Sequence, residues 1–407
     1  MRYIITLPYS WRRLPRGMAP AGEMIDVSRD SIDRPAEAPL RVLMVTARFL
    51  PHVGGTEIHT YELARRLVGR GVDVTVLTTE LDPARLSSDV RHGFPVVRVK
   101  AWPGGRDWYV APGIPRVVGD GRWDLVHVQG VHTMVLPIAL WAARRVGLPY
   151  VITLHSGGHS SHLRRLVRQL VRRAFARWMR DAARIIAVSQ FERDVFSAFL
   201  RLPAREIEII PSGVDPSTLK HEGDGSHESI LPELDAPLIV SVGRLEKYKG
   251  HDRILRALPG IASHFPGVRL VILGTGPDEP RLRRLAADLA LRPRVEIRGI
   301  PIERRTELYA LLDQADLVVA LSAYESHGLA ALEAAARGRS VLVADSSALR
   351  ELVTAGFARG IPLESPELER AVVRQLREPH RPSRELPTWD ECAARTLDLY
   401  LSASRRP

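Results

Sequence analysis

From residue 40 onward, short β-branched apolar runs alternate with longer amphipathic stretches. Arg41–Thr46, Asp73–Thr78, Val96–Lys100, Asp124–Gln129, Tyr150–Leu154 and Arg184–Val188 read as strands. Several are apolar at consecutive positions, as parallel strands covered by helices on both faces must be. Thr56–Val68 reads as the helix between the first two. The rhythm breaks over Pro211–Pro237, which holds four prolines, three glycines and the polar run His221–His227. It restarts with Leu238–Val242, Arg269–Leu273, Val295–Arg298, Leu317–Leu321 and Val341–Ala344. The pattern therefore predicts an α/β chain of two doubly wound domains in tandem, over residues 40–211 and 237–385, joined by a linker at 212–236. Two such domains set the carboxyl ends of their sheets across one cleft, where ligands bind. Residues 1–39, rich in Pro, Asp, Arg and Ser, read as a disordered leader.

Composition narrows the class. With 407 residues and 45% hydrophobic content, the chain can bury large cores without covalent staples. The single cysteine, Cys392, excludes an intramolecular disulfide framework and a Cys-rich zinc site. The longest apolar run, Met134–Ala143, contains Pro137 and is half the length of a membrane span, which needs about 20 residues. The N-terminal apolar stretch is too short for a signal peptide and carries its charge on the wrong side. The net charge is +11, and only four basic residues are lysines: Lys100, Lys220, Lys247 and Lys249. An arginine excess of this kind reflects genomic composition or an anionic partner.

Three loops after predicted strands carry candidate chemistry. Ser241–Gly250 joins a glycine turn at Gly243 to Arg244 and Lys249 ahead of the helical stretch Ile254–Leu258. Cations beside a helix start suit a phosphate, because the first N–H groups and the macrodipole favour an anion there. Gly274-Thr275-Gly276 follows the next strand and is weak evidence alone. In the third loop a strand ends near Leu321 and a helix starts near Gly328, with Glu325 before it and Glu333 about two turns inside. Carboxylates there can accept from sugar or ribose hydroxyls. Each of these segments has a plain alternative as solvated loop or surface charge.

Taken together, the motifs resemble the retaining glycosyltransferases of family 4, which share the GT-B fold and include bacterial mannosyl- and glucosyltransferases of glycan assembly. The resemblance spans roughly residues 40–402. It is carried by Pro51–Glu57, Thr153-Leu154-His155, Pro211–Asp215, Gly243-Arg244 with Lys249-Gly250, and Glu325 with Glu333, which match an E-x₇-E motif. It implies that Arg244 and Lys249 bind the donor diphosphate and that Glu333 binds the ribose. Glu325 would lie by the donor sugar, with amides from Ser326, His327, Gly328 and Leu329 nearby. Gly54 and Gly55 would form a glycine loop facing diphosphate and acceptor, and His155 would sit near the reaction centre. Arg244, Lys249, Glu325 and His155 are thus the candidate catalytic residues. The resemblance also implies a UDP- or GDP-sugar donor, a lipid-linked or glycan acceptor, no cofactor, and a C-terminal helix over 386–407 returning to the first domain. No D-x-D motif occurs, so no metal is expected on the diphosphate. The sequence departs from the family at His327, where an aromatic is usual, at Gln129, where a second histidine is common, and at Ser346-Ser347-Ala348, where a glycine pair is usual. The same fold carries nucleotide-sugar 2-epimerases, and a scaffold with a decayed site is the remaining alternative.

The positive charge is local. Residues 156–205 hold 11 arginines against Asp181, Glu192 and Asp194. Leu163, Leu166, Val167, Leu170, Val171, Ala174, Phe175, Trp178 and Met179 form one helical stripe, with Arg164, Arg165, Arg168, Arg172 and Arg173 on the other faces. This is either a core helix with a solvated basic face or a patch for anionic lipid. The second reading places the protein in the cytoplasm, at the inner face of the membrane. No recognition motif accompanies the charge, so nucleic acid is not an expected partner. Ala101–Gly121, with five glycines and three prolines, is a candidate acceptor loop.

Overall fold

A computed structural model describes residues 38–82, 85–86, 93–102, 110–156, 170, 173–215, 236–301, 304–382 and 385–404. The leader at 1–37, most of the linker, and Arg164, Arg165, Arg168 and Arg172 lie outside the described residues.

The first sheet is all parallel, in the order β3 (Val96–Lys100), β2 (Asp73–Glu80), β1 (Arg41–Thr46), β4 (Leu125–Gln129), β5 (Tyr150–Thr153), β6 (Arg184–Ala187), β7 (Ile207–Ile209). The second repeats the plan with β10 (Val295–Arg298), β9 (Arg269–Leu273), β8 (Leu238–Val242), β11 (Leu317–Ala320), β12 (Ser340–Ala344), β13 (Arg359–Ile361). Each order reverses at its first strand, so each sheet has a switch point, between β1 and β4 and between β8 and β11. Two three-residue edge strands, β7 and β13, escape the sequence pattern; Glu208 and the pair Arg359-Gly360 interrupt their apolar runs.

Both faces of each sheet are covered. Along β1, Leu43 and Val45 face one core while Val42 and Met44 face another. In β8, Leu238 and Val240 face one layer and Ile239 the other. This period-two alternation with apolar side chains on both faces makes the strands read as continuous hydrophobic runs.

The helix Trp389–Ser404 packs on the helix Gly55–Val68 and delivers Trp389, Cys392 and Tyr400 into the first sheet's core. It enters beside the segment leaving β7, with Val214 N–H donating to Pro387 O at 2.8 Å. Burial pushes the Cys392 thiol up to about 12, so it is an inert core residue.

Within the predicted loop Ala101–Gly121, residues 103–109 lie outside the described residues, but Gly113–Asp120 is a helix with Ile114 and Val118 buried. Its apolar spacing is masked by Pro115 and two flanking glycines. On the basic segment, residues 173–180 are helical; Met179 is buried and Arg173, Arg177 and Arg180 are exposed. Ala174, placed in the apolar stripe by spacing, is exposed instead. Among the described residues, no helix is long and apolar enough to cross a membrane.

Candidate functional site

A cleft of about 320 Å³ opens between the carboxyl ends of the two sheets. Gly54, Gly55, His155, Gly243, Arg244, Lys249, Glu325, Ser326, His327, Gly328, Leu329 and Glu333 all line it.

The second domain supplies most of the charge. The loop after β8 runs through Gly243 and Arg244 to a 3₁₀ turn, Lys247–Lys249, and then the helix His251–His264. Gly250 makes this junction at φ +71°, and a Cβ there would stand 2.2 Å from the Leu321 carbonyl oxygen, so only glycine fits. Through this packing the Lys249 loop and the loop after β11 lie side by side. Lys249 Nζ donates to Glu325 Oε1 at 2.6 Å, and Ser322 Oγ donates to the same oxygen at 2.7 Å. Burial works against the ammonium, but the adjacent Glu325 carboxylate outweighs it and holds the Lys249 pKa above its ordinary value. This pairing of the two signature residues is not visible in the sequence. Arg244 stands at the rim, 47% exposed, with Nη2 3.3 Å from Glu246 Oε1.

The loop carrying Glu325 ends at Gly328, whose φ of +87° turns the chain into the helix Leu329–Ala336. Glu333 is the fifth residue of that helix and so sits about one turn into it, not two. The first amides of that helix border the cleft. Glu333 pairs with Arg305, whose Nε donates to Tyr309 Oη at 2.7 Å. Burial raises the Glu333 pKa while Arg305 opposes the shift. Arg305 lies in the cleft wall and carries no signal in the sequence.

The first domain contributes His155, at the end of β5, in the left-handed region at φ +40°. His155 Nε2 lies 2.9 Å from Gln129 Oε1; the carbonyl oxygen can only accept, so Nε2 carries the proton. Gln129 thus orients His155, which gives that sequence departure a structural role. Burial, with His127, His132 and His327 nearby, lowers the His155 pKa to about 3. His327 turns its side chain from the cleft mouth to Ser212, donating from Nε2 to the carbonyl oxygen at 3.0 Å. Gly54 caps the helix Gly55–Val68, and a Cβ on it would meet the Glu57 carboxylate at 2.5 Å. Gly55 has open space around it.

The wall thus offers a half-buried ammonium, a rim guanidinium and helix-start amides for an anion, with two carboxylates for hydroxyls. Residues 53–218 match the family described as Glycosyltransferase Family 4, and residues 225–384 match that described as Glycosyl transferases group 1. The sequence is 29% identical to the glycogen synthase of Mycobacterium tuberculosis, over 90% of this chain and 95% of that one. It is also 29% identical to the GDP-mannose:cellobiosyl-diphosphopolyprenol alpha-mannosyltransferase of Xanthomonas oryzae, over 75% of this chain and 79% of that one. Among solved structures, Alr3699/HepE of Anabaena in complex with UDP and glucose shares the fold, with a TM-score of 0.66 and 21% identity over 89% of this chain and 95% of that one.

Proposed function

Because the chain belongs to glycosyltransferase family 4, we propose that it moves a hexosyl group from a UDP- or GDP-sugar to a hydroxyl of a lipid-linked or cell-surface glycan precursor, with retention of configuration. The observation that carries this reading is the Lys249–Glu325 pair sharing one cleft wall with Arg244, the helix-start amides and Glu333. In it the diphosphate lies against Arg244, Lys249 and the amides of residues 326–329. The ribose hydroxyls reach Glu333, and the sugar lies between Glu325 and His155.

Transfer breaks the bond from C1 to the diphosphate oxygen, and its electron pair leaves with the nucleotide. Positive charge develops on C1 and negative charge on the departing oxygen, where fixed cations and amides stabilise it most. The acceptor oxygen forms the new bond from the same face, and its proton passes to the departing phosphate oxygen. Arg244 and Lys249 carry the leaving-group charge in place of a metal. The lipid-linked acceptor is supported by the diphosphopolyprenol named for the Xanthomonas relative and by the exposed Arg173, Arg177 and Arg180.

The test is a thermal-shift screen of UDP, GDP and their glucose and mannose derivatives, followed by turnover of the donor that stabilises the protein. One nucleotide series is expected to raise the melting temperature in the wild type and much less in Glu333→Gln. Turnover should survive EDTA, and the product should keep the donor's anomeric configuration. No stabilisation by any of the six compounds would sink the donor reading. An isomerised sugar nucleotide formed without acceptor would replace transfer by epimerisation. Complete loss in EDTA, restored by magnesium or manganese, would overturn the metal-independent step.

A further inference from the structure

Two rigid pieces carry the two halves of the site, and both are clamped by side chains outside the donor wall. On the first domain, the residue after His155 is held twice by a fully buried carboxylate. Ser156 donates to Glu192 Oε1 from its N–H at 2.6 Å and from Oγ at 2.7 Å. Glu192 Oε2 also accepts from Val188 N–H at 3.1 Å, and Ser189 Oγ caps the Glu192 amide at 3.1 Å. The His155–Ser156 turn and the helix Gln190–Leu200 thus move together.

On the second domain, Glu325 is tied to the loop after β12. Ser347 Oγ accepts from Glu325 N–H at 2.8 Å, and Ala348 N–H donates to Glu325 O at 3.3 Å. Ser347 holds this position at φ +47°, so the serine that departs from the family's glycine pair contributes a contact glycine cannot make. Glu351 follows four residues after Ser347, on the helix Leu349–Thr354.

The pieces meet at two places. Glu351 reaches across and accepts from the first two amides of the helix Gln190–Leu200, at 3.0 Å from Gln190 N and 2.7 Å from Phe191 N. Those N–H groups have no partner within the helix, and the helix dipole favours a carboxylate there. Beside this contact, Tyr324 Oη lies 2.7 Å from Ser156 Oγ, and the Tyr324 ring packs edge-on against Phe191 with centroids 5.5 Å apart. Tyr324 immediately precedes Glu325, and Ser156 immediately follows His155.

We propose that Glu351 and the Tyr324–Ser156 pair form an interdomain latch whose members are positioning residues: they set the separation of His155 and Glu325, so the transfer step depends on them and nucleotide binding does not. The inference rests on the glycosyltransferase reading only for its kinetic consequence. Apart from the glycine loop at Gly54 and Gly55, the groups assigned to the nucleotide (Arg244, Lys249, the amides of residues 326–329 and Glu333) lie on the second domain, so releasing the latch leaves them in place. Alignment against His155 needs both domains.

The test uses the full chain with Tyr324→Phe, Ser156→Ala, Ser156→Thr and Glu351→Gln. Tyr324→Phe keeps the ring on Phe191 and removes only the hydroxyl. Glu351→Gln replaces one acceptor oxygen by an amide donor. Both variants are expected to bind UDP or GDP, whichever the wild type prefers, within twofold of wild type while kcat falls at least tenfold. Ser156→Ala also removes the Oγ donor to Glu192, so it should lower kcat by a smaller factor in the Tyr324→Phe background than alone, and Ser156→Thr, which keeps the hydroxyl, should retain most of the rate. Hydrogen exchange in the segment 188–193 should accelerate at least tenfold in Glu351→Gln, and small-angle scattering should give a larger radius of gyration for the Tyr324→Phe/Glu351→Gln double variant. Unchanged kcat in both single variants, or unchanged exchange and radius, overturns the latch. Should the wild type turn over no sugar nucleotide, the donor reading fails, and exchange and scattering decide the latch alone by the same criteria.

Discussion

Acidification from pH 7 to 5.5 is expected to destabilise the fold before ordinary carboxylates titrate. Burial first, then the nearby His59, holds His127 down to about 3. Burial and surrounding histidines do the same for His155, and burial holds His251 to about 4. His59 and His327 shift in the same direction, again chiefly through burial. These rings are satisfied as neutral groups: His127 Nε2 lies 2.7 Å from Thr153 Oγ1 with Tyr400 Oη at its other nitrogen, and His251 Nδ1 lies 2.9 Å from Ser241 Oγ. An unfolded histidine titrates near its ordinary 6.5. Above that pH neither state takes protons and stability is full. Below it the unfolded chain takes protons that the folded chain refuses, so stability falls as pH drops toward the folded values. The slope is about 1.4 kcal/mol per pH unit for each such group. By pH 5.5 each of the three histidines with assigned values has cost about 1 kcal/mol, and together they remove about 3 to 4 kcal/mol from a typical total of about 5–15. Glu57 and Glu333, whose pKa values burial raises, take up protons sooner in the folded state and offset part of this loss. The assay is urea unfolding at pH 7.5, 6.5 and 5.5, with nitrogen-15 histidine spectra of the native protein. The midpoint should fall mainly between pH 6.5 and 5.5, and the His127 and His155 rings should remain neutral at 5.5. His155→Gln should shrink the pH effect by about 1 kcal/mol. A midpoint that holds or rises on acidification, or native imidazolium signals from these rings at pH 6, would refute the reasoning.

The cations of the donor wall should separate by stability as well as by rate. Arg244→Ala and Lys249→Ala are each expected to lose about 2–4 kcal/mol of transition-state stabilisation in kcat/KM, by analogy with removing one oxyanion donor. Only Lys249→Ala should also lower the urea midpoint, because it strands the largely buried Glu325, whereas Arg244 is 47% exposed. Wild-type turnover in both variants would reject the pair. Glu333→Gln should weaken nucleotide and sugar nucleotide alike, while Glu325→Gln should weaken mainly the sugar nucleotide in calorimetric titration; equal losses for both ligands in both variants would refute that division. For the membrane, the wild type should sediment with anionic vesicles at low salt and release at high salt, and Arg165, Arg168 and Arg172 changed together to Gln should weaken that binding by about 1 kcal/mol per residue. Indifference of the wild type to anionic vesicles would leave the patch a solvated helix face.

What could be read in advance follows from the range of the interaction behind each feature. The strands of both sheets are buried on two faces, so their apolar runs are local and show in the sequence, down to Arg41–Thr46 and Leu238–Val242 without a residue's error. Glu325, Glu333, Arg244 and Lys249 were legible as side chains near strand ends, because the order of a doubly wound sheet fixes which ends face the cleft. Their partners were not. Arg305 meets Glu333 across 28 positions, Gln129 meets His155 across 26, and Glu351 meets the amide of Phe191 across 160. Such contacts leave no periodicity, and each partner alone is an ordinary polar residue in a loop or at a helix end. The departures from the family pattern behaved differently. Gln129, His327 and Ser347 each form a specific hydrogen bond, to His155, the Ser212 carbonyl and the Glu325 amide. Gln129 acts within the first domain and Ser347 within the second, each fixing a residue that borders the cleft, and His327 reaches from the second domain to the segment leaving the first sheet. Such positions can vary around a charged wall that stays the same.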